Sequence, residues 1–138
     1  MFFYICVYPY IHIYRDIGTM GFRCCILKGQ GNALLYPNHF SRTPGDIDIW
    51  VNAERDDIRR LAQQLANGKG DVGKVGKESL NHIELMINGI AVELHPTPAI
   101  LNNPLYNHRL QKWLKRNVDL QCSNVVELPD DAGEIAVP

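Results

Sequence analysis

Asp46 and Asp48 stand two apart in the run Gly45-Asp46-Ile47-Asp48-Ile49-Trp50-Val51, where carboxylates alternate with branched apolar residues. On a β-strand alternate side chains share a face. Such a strand turns Asp46, Asp48 and Trp50 one way and Ile47, Ile49 and Val51 the other. Two carboxylates on one side can share hard divalent cations, and magnesium is commonly held by one or two carboxylates plus the phosphate oxygens of a substrate. Glu93, on the polar side of a later strand, is the candidate third carboxylate. Three acids in one place repel one another unless a cation compensates, so the cluster makes sense as a metal site and poor sense as a purely structural one. Upstream, Lys28-Gly29-Gln30-Gly31 ends an apolar run and opens a short helix, where unhindered backbone amides suit the charged tail of a nucleotide. A glycine turn, a D-x-D strand and a later strand acid together read as metal-dependent phosphoryl or nucleotidyl transfer.

Each of these residues also has a plainer reading. Lys28 can be a strand-end lysine whose stem lies on apolar surface with its ammonium in water. Arg42 can bridge to a nearby acid, and Glu84 is better read as a surface acid than as a fourth site carboxylate. His95 and His82 can be site contacts, although solvated or core-edge histidines are commoner, and His82 is read as one of these. Cys24 and Cys25 are most simply strand packing. Arg109, Lys112, Lys115 and Arg116 are more often a solvated helix face than a nucleic-acid patch.

The elements that must position these groups are legible in outline. Apolar residues from Tyr10 to Met20 predict a helix that follows Pro9 and is ended by Gly18 or Gly21. Residues 23–27 read as a buried strand and residues 32–36 as a short helix stopped by Pro37. Loop composition fills residues 38–45, and the D-x-D strand covers residues 46–51. Asn52 is a candidate cap for a helix running to about Asn67, with Ile58, Leu61, Ala62 and Leu65 inward and Gly68 at its end. Four glycines and two lysines make residues 68–76 a flexible connection. The strongest local signal is Asn88-Gly89 between two alternating runs, residues 81–87 and 90–95, which predicts a two-residue hairpin. Counting back from that turn pairs Leu85 with Val92, Glu84 with Glu93 and His82 with His95. Ile83, Leu85, Ile87, Ile90, Val92 and Leu94 then form the core face. Residues 107–117 predict a basic amphipathic helix with Leu110, Trp113 and Leu114 inward. The last dozen residues read as an extended end.

The chain has 138 residues, 46% of them hydrophobic and 21% charged, which fits one globular domain and leaves no room for two. Fourteen Lys and Arg against fifteen Asp and Glu give a formal net charge of -1. That balance excludes the broad basic surface of a protein living on nucleic acid or anionic membrane, so phosphate must be met locally. Cys6, Cys24, Cys25 and Cys122 show no zinc spacing and no disulfide framework, and a reduced cytoplasmic setting is expected. The apolar start lacks a basic leader and a small-residue cleavage site, and it is too short and polar-dotted to span a bilayer.

Three ordered blocks carry a resemblance: CILKGQGNALLYP, then SRTPGDIDIWV, then NHIELMINGIAVELHP. They resemble the uncharacterised nucleotidyltransferase family of the polymerase-beta-like superfamily, in an LKG turn, an R-x-x-G-D-I-D strand and a V-E-L-H strand, across residues 22–104. The resemblance implies an α+β fold, a mixed β-sheet with helices packed on one face and the carboxylate site on the other. It implies two magnesium ions on Asp46 and Asp48, with Glu93 as third carboxylate positioning and deprotonating an acceptor hydroxyl. Gly29 matches the glycine of the phosphate turn, Gln30 follows it, and Lys28 and Arg42 match basic positions that contact a triphosphate. The co-substrate implied is an NTP, foremost ATP, with a nucleoside monophosphate moved to a hydroxyl and pyrophosphate released. The expected organisation is a helical lead-in over residues 1–21, a catalytic core over 22–120 and an extended end over 121–138 that stops before a helical region. Two alternatives stay open: a truncated or inactive nucleotide-binding module of the same fold, and an antitoxin-type minimal nucleotidyltransferase acting with a helical partner domain or protein.

Overall fold

The Asn88-Gly89 turn sets the register of the sheet. In the computed structural model, which describes residues 2–28, 30–33, 35–38, 45–68, 74–128 and 131–138 (with the backbone alone at 2–10, 30, 31 and 74), β4 (Ile83–Ile87) and β5 (Ile90–His95) pair antiparallel through it. Asn88 and Gly89 have φ of 51° and 78°, the left-handed values that a tight hairpin turn with the strands' own twist requires. Ile87 pairs with Ile90, Leu85 with Val92 and Glu84 with Glu93, the register counted from sequence. Ile83, Leu85, Ile87, Val92 and Leu94 are buried, and Ile90 packs against them partly buried.

β2 (Ile47–Val51) runs parallel to β5, and β1 (Cys24–Ile26) runs antiparallel to β2 on its other side. β3 (Lys74–Glu78) pairs antiparallel with β4, giving the order β1-β2-β5-β4-β3 and a mixed sheet of the expected α+β class. β2 is buried along its whole length because it is covered on both faces.

On the face carrying Ile26, Ile49, Leu85 and Leu94 lie α1 (Phe2–Thr19) and α3 (Arg55–Asn67), contributing Ile13 and Ile17 and the predicted stripe Ile58, Leu61, Ala62 and Leu65. α4 (Pro104–Gln121) meets the other face at one end, where Leu114, Val118 and Cys122 form a second small core with Cys25 and Trp50. Asn103 caps α4 by accepting from the backbone N–H groups of Leu105 and Tyr106, with Pro104 in the first turn. β6 (Val125–Leu128) and β7 (Gly133–Ala136) form a separate two-stranded ribbon; Leu128 and Ile135 join the main core and Ala136 the second. The C-terminal residues are thus extended, but paired with one another and packed.

Several local expectations are corrected. α1 starts before Pro9, since a proline forgoes one backbone hydrogen bond without ending the helix by itself. α2 is only Gln30–Ala33; Leu35 and Tyr36 donate three residues back, to Asn32 and Ala33, as turns and not as helix. Asn52 does not cap α3. Its N–H donates to the Arg23 carbonyl, continuing the strand ladder, and Glu54 takes the cap position without a side-chain bond. Residues 69–73 of the glycine-rich stretch lie outside the described residues, and from Lys74 the stretch enters β3, which carries almost no apolar signal because it is an exposed edge strand. It is tied down from α3 instead: Arg55 and Arg59 both donate to Glu78, and Arg55 also donates to the Ser79 and Leu80 carbonyls. Trp113 is 51% exposed, because the buried stripe of α4 runs Leu114, Val118, Cys122 and the helix extends four residues beyond Asn117.

Candidate active site

The sheet register assembles the site. Parallel pairing of β2 with β5 sets Asp48 beside Glu93 and Trp50 beside His95, so the D-x-D strand and the V-E-L-H strand present their polar residues on one face. Carboxylate oxygens of Asp46, Asp48 and Glu93 lie within 4.8 Å of one another, with Asp46 exposed, Glu93 intermediate and Asp48 buried. The three acids proposed from sequence are therefore brought together. Glu84, though paired with Glu93 in register, belongs to neither ligand cluster found among the described residues. A carboxylate oxygen of Glu84 stands 3.4 Å from where a Cβ on Gly76 would sit, over the neighbouring strand β3.

Lys28 comes to the site by the same logic. The Leu27 N–H donates to the Asp48 carbonyl, which extends the β1–β2 ladder one step and delivers Lys28 at its end. The Lys28 Nζ then donates to Asp48 Oδ1 at 2.8 Å, while the lysine side chain remains 57% exposed. The His95 Nε2 is 3.0 Å from the same Asp48 oxygen and 3.3 Å from Glu93 Oε2. His82 closes the row, with its Nε2 3.5 Å from Glu93 Oε1 and its ring centroid 5.4 Å from that of His95. His82, read from sequence as a solvated or core-edge histidine, is half-buried and turned toward Glu93 and His95. The signal was already in the hairpin count, which puts His82 opposite His95.

Charge is distributed unevenly here. Burial pushes the Asp48 pKa up, but hydrogen bonds from His95 and Lys28, with the ammonium's charge, outweigh it and hold the carboxyl at about 2. Asp48 is an anion at any physiological pH. Glu93 moves the opposite way: burial raises its pKa, His82 and His95 oppose this, and the Asp48 and Asp46 charges add to it. The hydrogen bond to Asp48 raises the pKa of Lys28. Lys28 therefore supplies part of the positive charge that three clustered acids demand, and His95 adds a hydrogen bond to Asp48.

Of the residues expected at the phosphate turn, Gly29 and Arg42 lie outside the described residues, and Gln30 begins α2 with only its backbone described. Beyond the carboxylates, a cleft of about 470 Å³ opens between Trp50, the start of α3, Pro96 and α4, lined in part by Arg55, Gln111 and Lys115. It borders the same face, since Trp50 is two residues past Asp48 and Pro96 follows His95. The Cys24, Cys25 and Cys122 thiols are free and buried; burial pushes Cys24 up to about 12, which makes it a packing residue and not a nucleophile. Among the described residues, no helix is long and apolar enough to cross a membrane.

A mixed sheet that gathers three acids from a D-x-D strand and its parallel neighbour is the arrangement of a nucleotidyltransferase-like α+β domain. The family described as uncharacterised nucleotidyltransferase matches residues 8–132, nearly the whole chain, and the chain belongs to it. Membership implies a nucleoside triphosphate substrate and, in the usual case, a divalent metal. No curated protein matches the chain.

Proposed function

We propose that the protein is a magnesium-dependent nucleotidyltransferase that moves a nucleoside monophosphate from an NTP, foremost ATP, to a hydroxyl acceptor and releases pyrophosphate. The observation that carries this reading is the convergence of Asp46, Asp48 and Glu93, in a chain of this family, into a set of hard oxygen donors within 4.8 Å. Such a donor set fits magnesium better than any softer ion. Asp46 and Asp48 would hold the ions, with Glu93 as the third carboxylate. Bound magnesium would neutralise charge on the triphosphate and lower the pKa of the attacking hydroxyl.

The chain's own residues would do the rest. Glu93 accepts the hydroxyl proton, a task suited to a carboxylate whose pKa burial has raised. The acceptor oxygen then bonds to the α-phosphorus, and the bond from that phosphorus to the oxygen bridging to the β-phosphate breaks, with its electron pair leaving on pyrophosphate. Lys28, on a flexible and largely exposed stem, exchanges Asp48 for a phosphate oxygen. His95 keeps Asp48 oriented from the neighbouring strand. The cleft beside Trp50 offers room for the base or the acceptor.

Calorimetric titration of magnesium and ATP into the wild type and into Asp46→Asn/Asp48→Asn tests the assignment. The double variant is expected to bind about tenfold more weakly or worse. Equal affinity in the two proteins would remove these carboxylates from the site.

A further inference from the structure

His82, Glu93 and His95 form a second donor set, which shares Glu93 and His95 with the nucleotidyl-transfer reading and adds His82. One ligand atom from each lies within 4.8 Å of the others. Both imidazoles turn Nε2 toward the Glu93 carboxylate, at 3.5 Å for His82 and 3.3 Å for His95. A tetrahedral ion with nitrogen and oxygen ligands at about 2.0 to 2.1 Å has ligand-to-ligand edges of about 3.3 to 3.4 Å. The two nitrogen-to-oxygen separations, each to a different Glu93 oxygen, are close to such an edge, and the three donors lie within 4.8 Å of one another. The three groups come from the hairpin itself: Glu93 and His95 are alternate residues of β5, and His82 stands just ahead of β4, across from His95. The paired strand β5 and the burial of His95 hold Glu93 and the His95 ring in place, and a bound ion would take His95 Nε2 over from its contact with Asp48 Oδ1.

Two imidazoles and one carboxylate differ in kind from the all-oxygen set of Asp46, Asp48 and Glu93. Imidazole suits zinc, cobalt and nickel, whereas magnesium prefers oxygen donors and keeps much of its water. We propose that His82, Glu93 and His95 constitute a transition-metal site, selective for zinc-like divalent ions over magnesium and sharing Glu93 with the adjacent carboxylate cluster. Three protein ligands leave the fourth position of a tetrahedral ion to water or to a substrate oxygen. The site does not depend on nucleotidyl transfer being the activity, because it is defined by coordination alone.

Cobalt(II), a spectroscopic stand-in for zinc, tests this on the full chain after treatment with a chelator. One equivalent of cobalt should bind with visible d–d bands of tetrahedral or five-coordinate ligation and without a sulfur-to-cobalt charge-transfer band. Zinc should displace it, and a large excess of magnesium should not. His82→Ala and His82→Gln should each weaken binding by about tenfold or more, whereas Asp46→Asn should leave cobalt affinity within about twofold of wild type. Because His82 is partly exposed and outside the core, both His82 variants should keep the wild-type circular dichroism and melting temperature. Wild-type cobalt affinity in both His82 variants would overturn the proposal, as would a thiolate band or displacement by magnesium. Loss of cobalt binding in Asp46→Asn would also overturn it, by placing the ion in the carboxylate cluster. Weak magnesium–ATP binding by the wild type alongside tight cobalt binding would count against the transferase reading and leave this site standing.

Discussion

Asp48→Asn is expected to lower magnesium-dependent pyrophosphate release from ATP, assayed with glycerol as a generic hydroxyl acceptor, by about two to three orders of magnitude. Several kcal/mol of transition-state stabilisation rest on metal ions in such reactions, and about 3 to 4 kcal/mol corresponds to that loss of rate. Asp48 is the acid best fitted to the role. It is buried, stays ionised through His95 and Lys28, and sits between Asp46 and Glu93. Asparagine keeps the shape and an acceptor oxygen for Lys28 and His95 but removes the charge. Lys28 is largely exposed and can be solvated when its partner is neutral, so the melting temperature should change by only a few degrees, about 1 kcal/mol. A variant as active as the wild type would show that Asp48 is not a metal ligand. A variant that unfolds would instead assign it a structural role.

Leu85→Ala is expected to destabilise the fold by about 2 to 5 kcal/mol and to lower the melting temperature by about 10 °C. Leu85 is fully buried in the centre of β4, pairs with Val92 on one side and Val75 on the other, and faces the helices that cover the sheet. Its truncation removes apolar contacts and leaves a cavity that rigid strands cannot close. Val125→Ala, at a half-exposed position of β6, should stay within about 0.5 kcal/mol of wild type. The comparison is read from denaturant midpoints with unchanged slopes. Equal midpoints for Leu85→Ala and wild type would mean that the hairpin face is not the core.

Much of this arrangement could be read from the chain before its fold was known, where one physical rule governed. The Asn88-Gly89 turn fixed the hairpin register and both of its faces, because few sequences accept two consecutive left-handed residues. The three acids were legible as types and as members of strands, and alternation put Asp46 and Asp48 on one side. What alternation could not give was that β2 lies parallel to β5, since that pairing depends on the connection through α3, β3 and β4. The ion pair of Lys28 with Asp48 follows from the β1–β2 pairing and the turning of His82 toward Glu93 from the hairpin, and both are contacts of the assembled sheet. β3 is not legible in the sequence because its stability comes from a backbone ladder and from Arg55 and Arg59 on Glu78, with no apolar pattern to betray it. Size and hydrophobicity point Trp113 inward, whereas Leu114 and Val118, continued by Cys122 at the helix end, define the stripe that is buried.

Whether Asp46, Asp48 and Glu93 hold metal against a nucleotide is decided by an anomalous-diffraction map of crystals grown with manganese, in place of magnesium, and a non-hydrolysable ATP analogue. Manganese peaks are expected between the carboxylates of Asp46, Asp48 and Glu93, next to triphosphate oxygens, with Lys28 released from Asp48 toward a phosphate. A nucleotide bound elsewhere, with no manganese on Asp46 or Asp48 and the Lys28–Asp48 pair intact, would contradict this assignment.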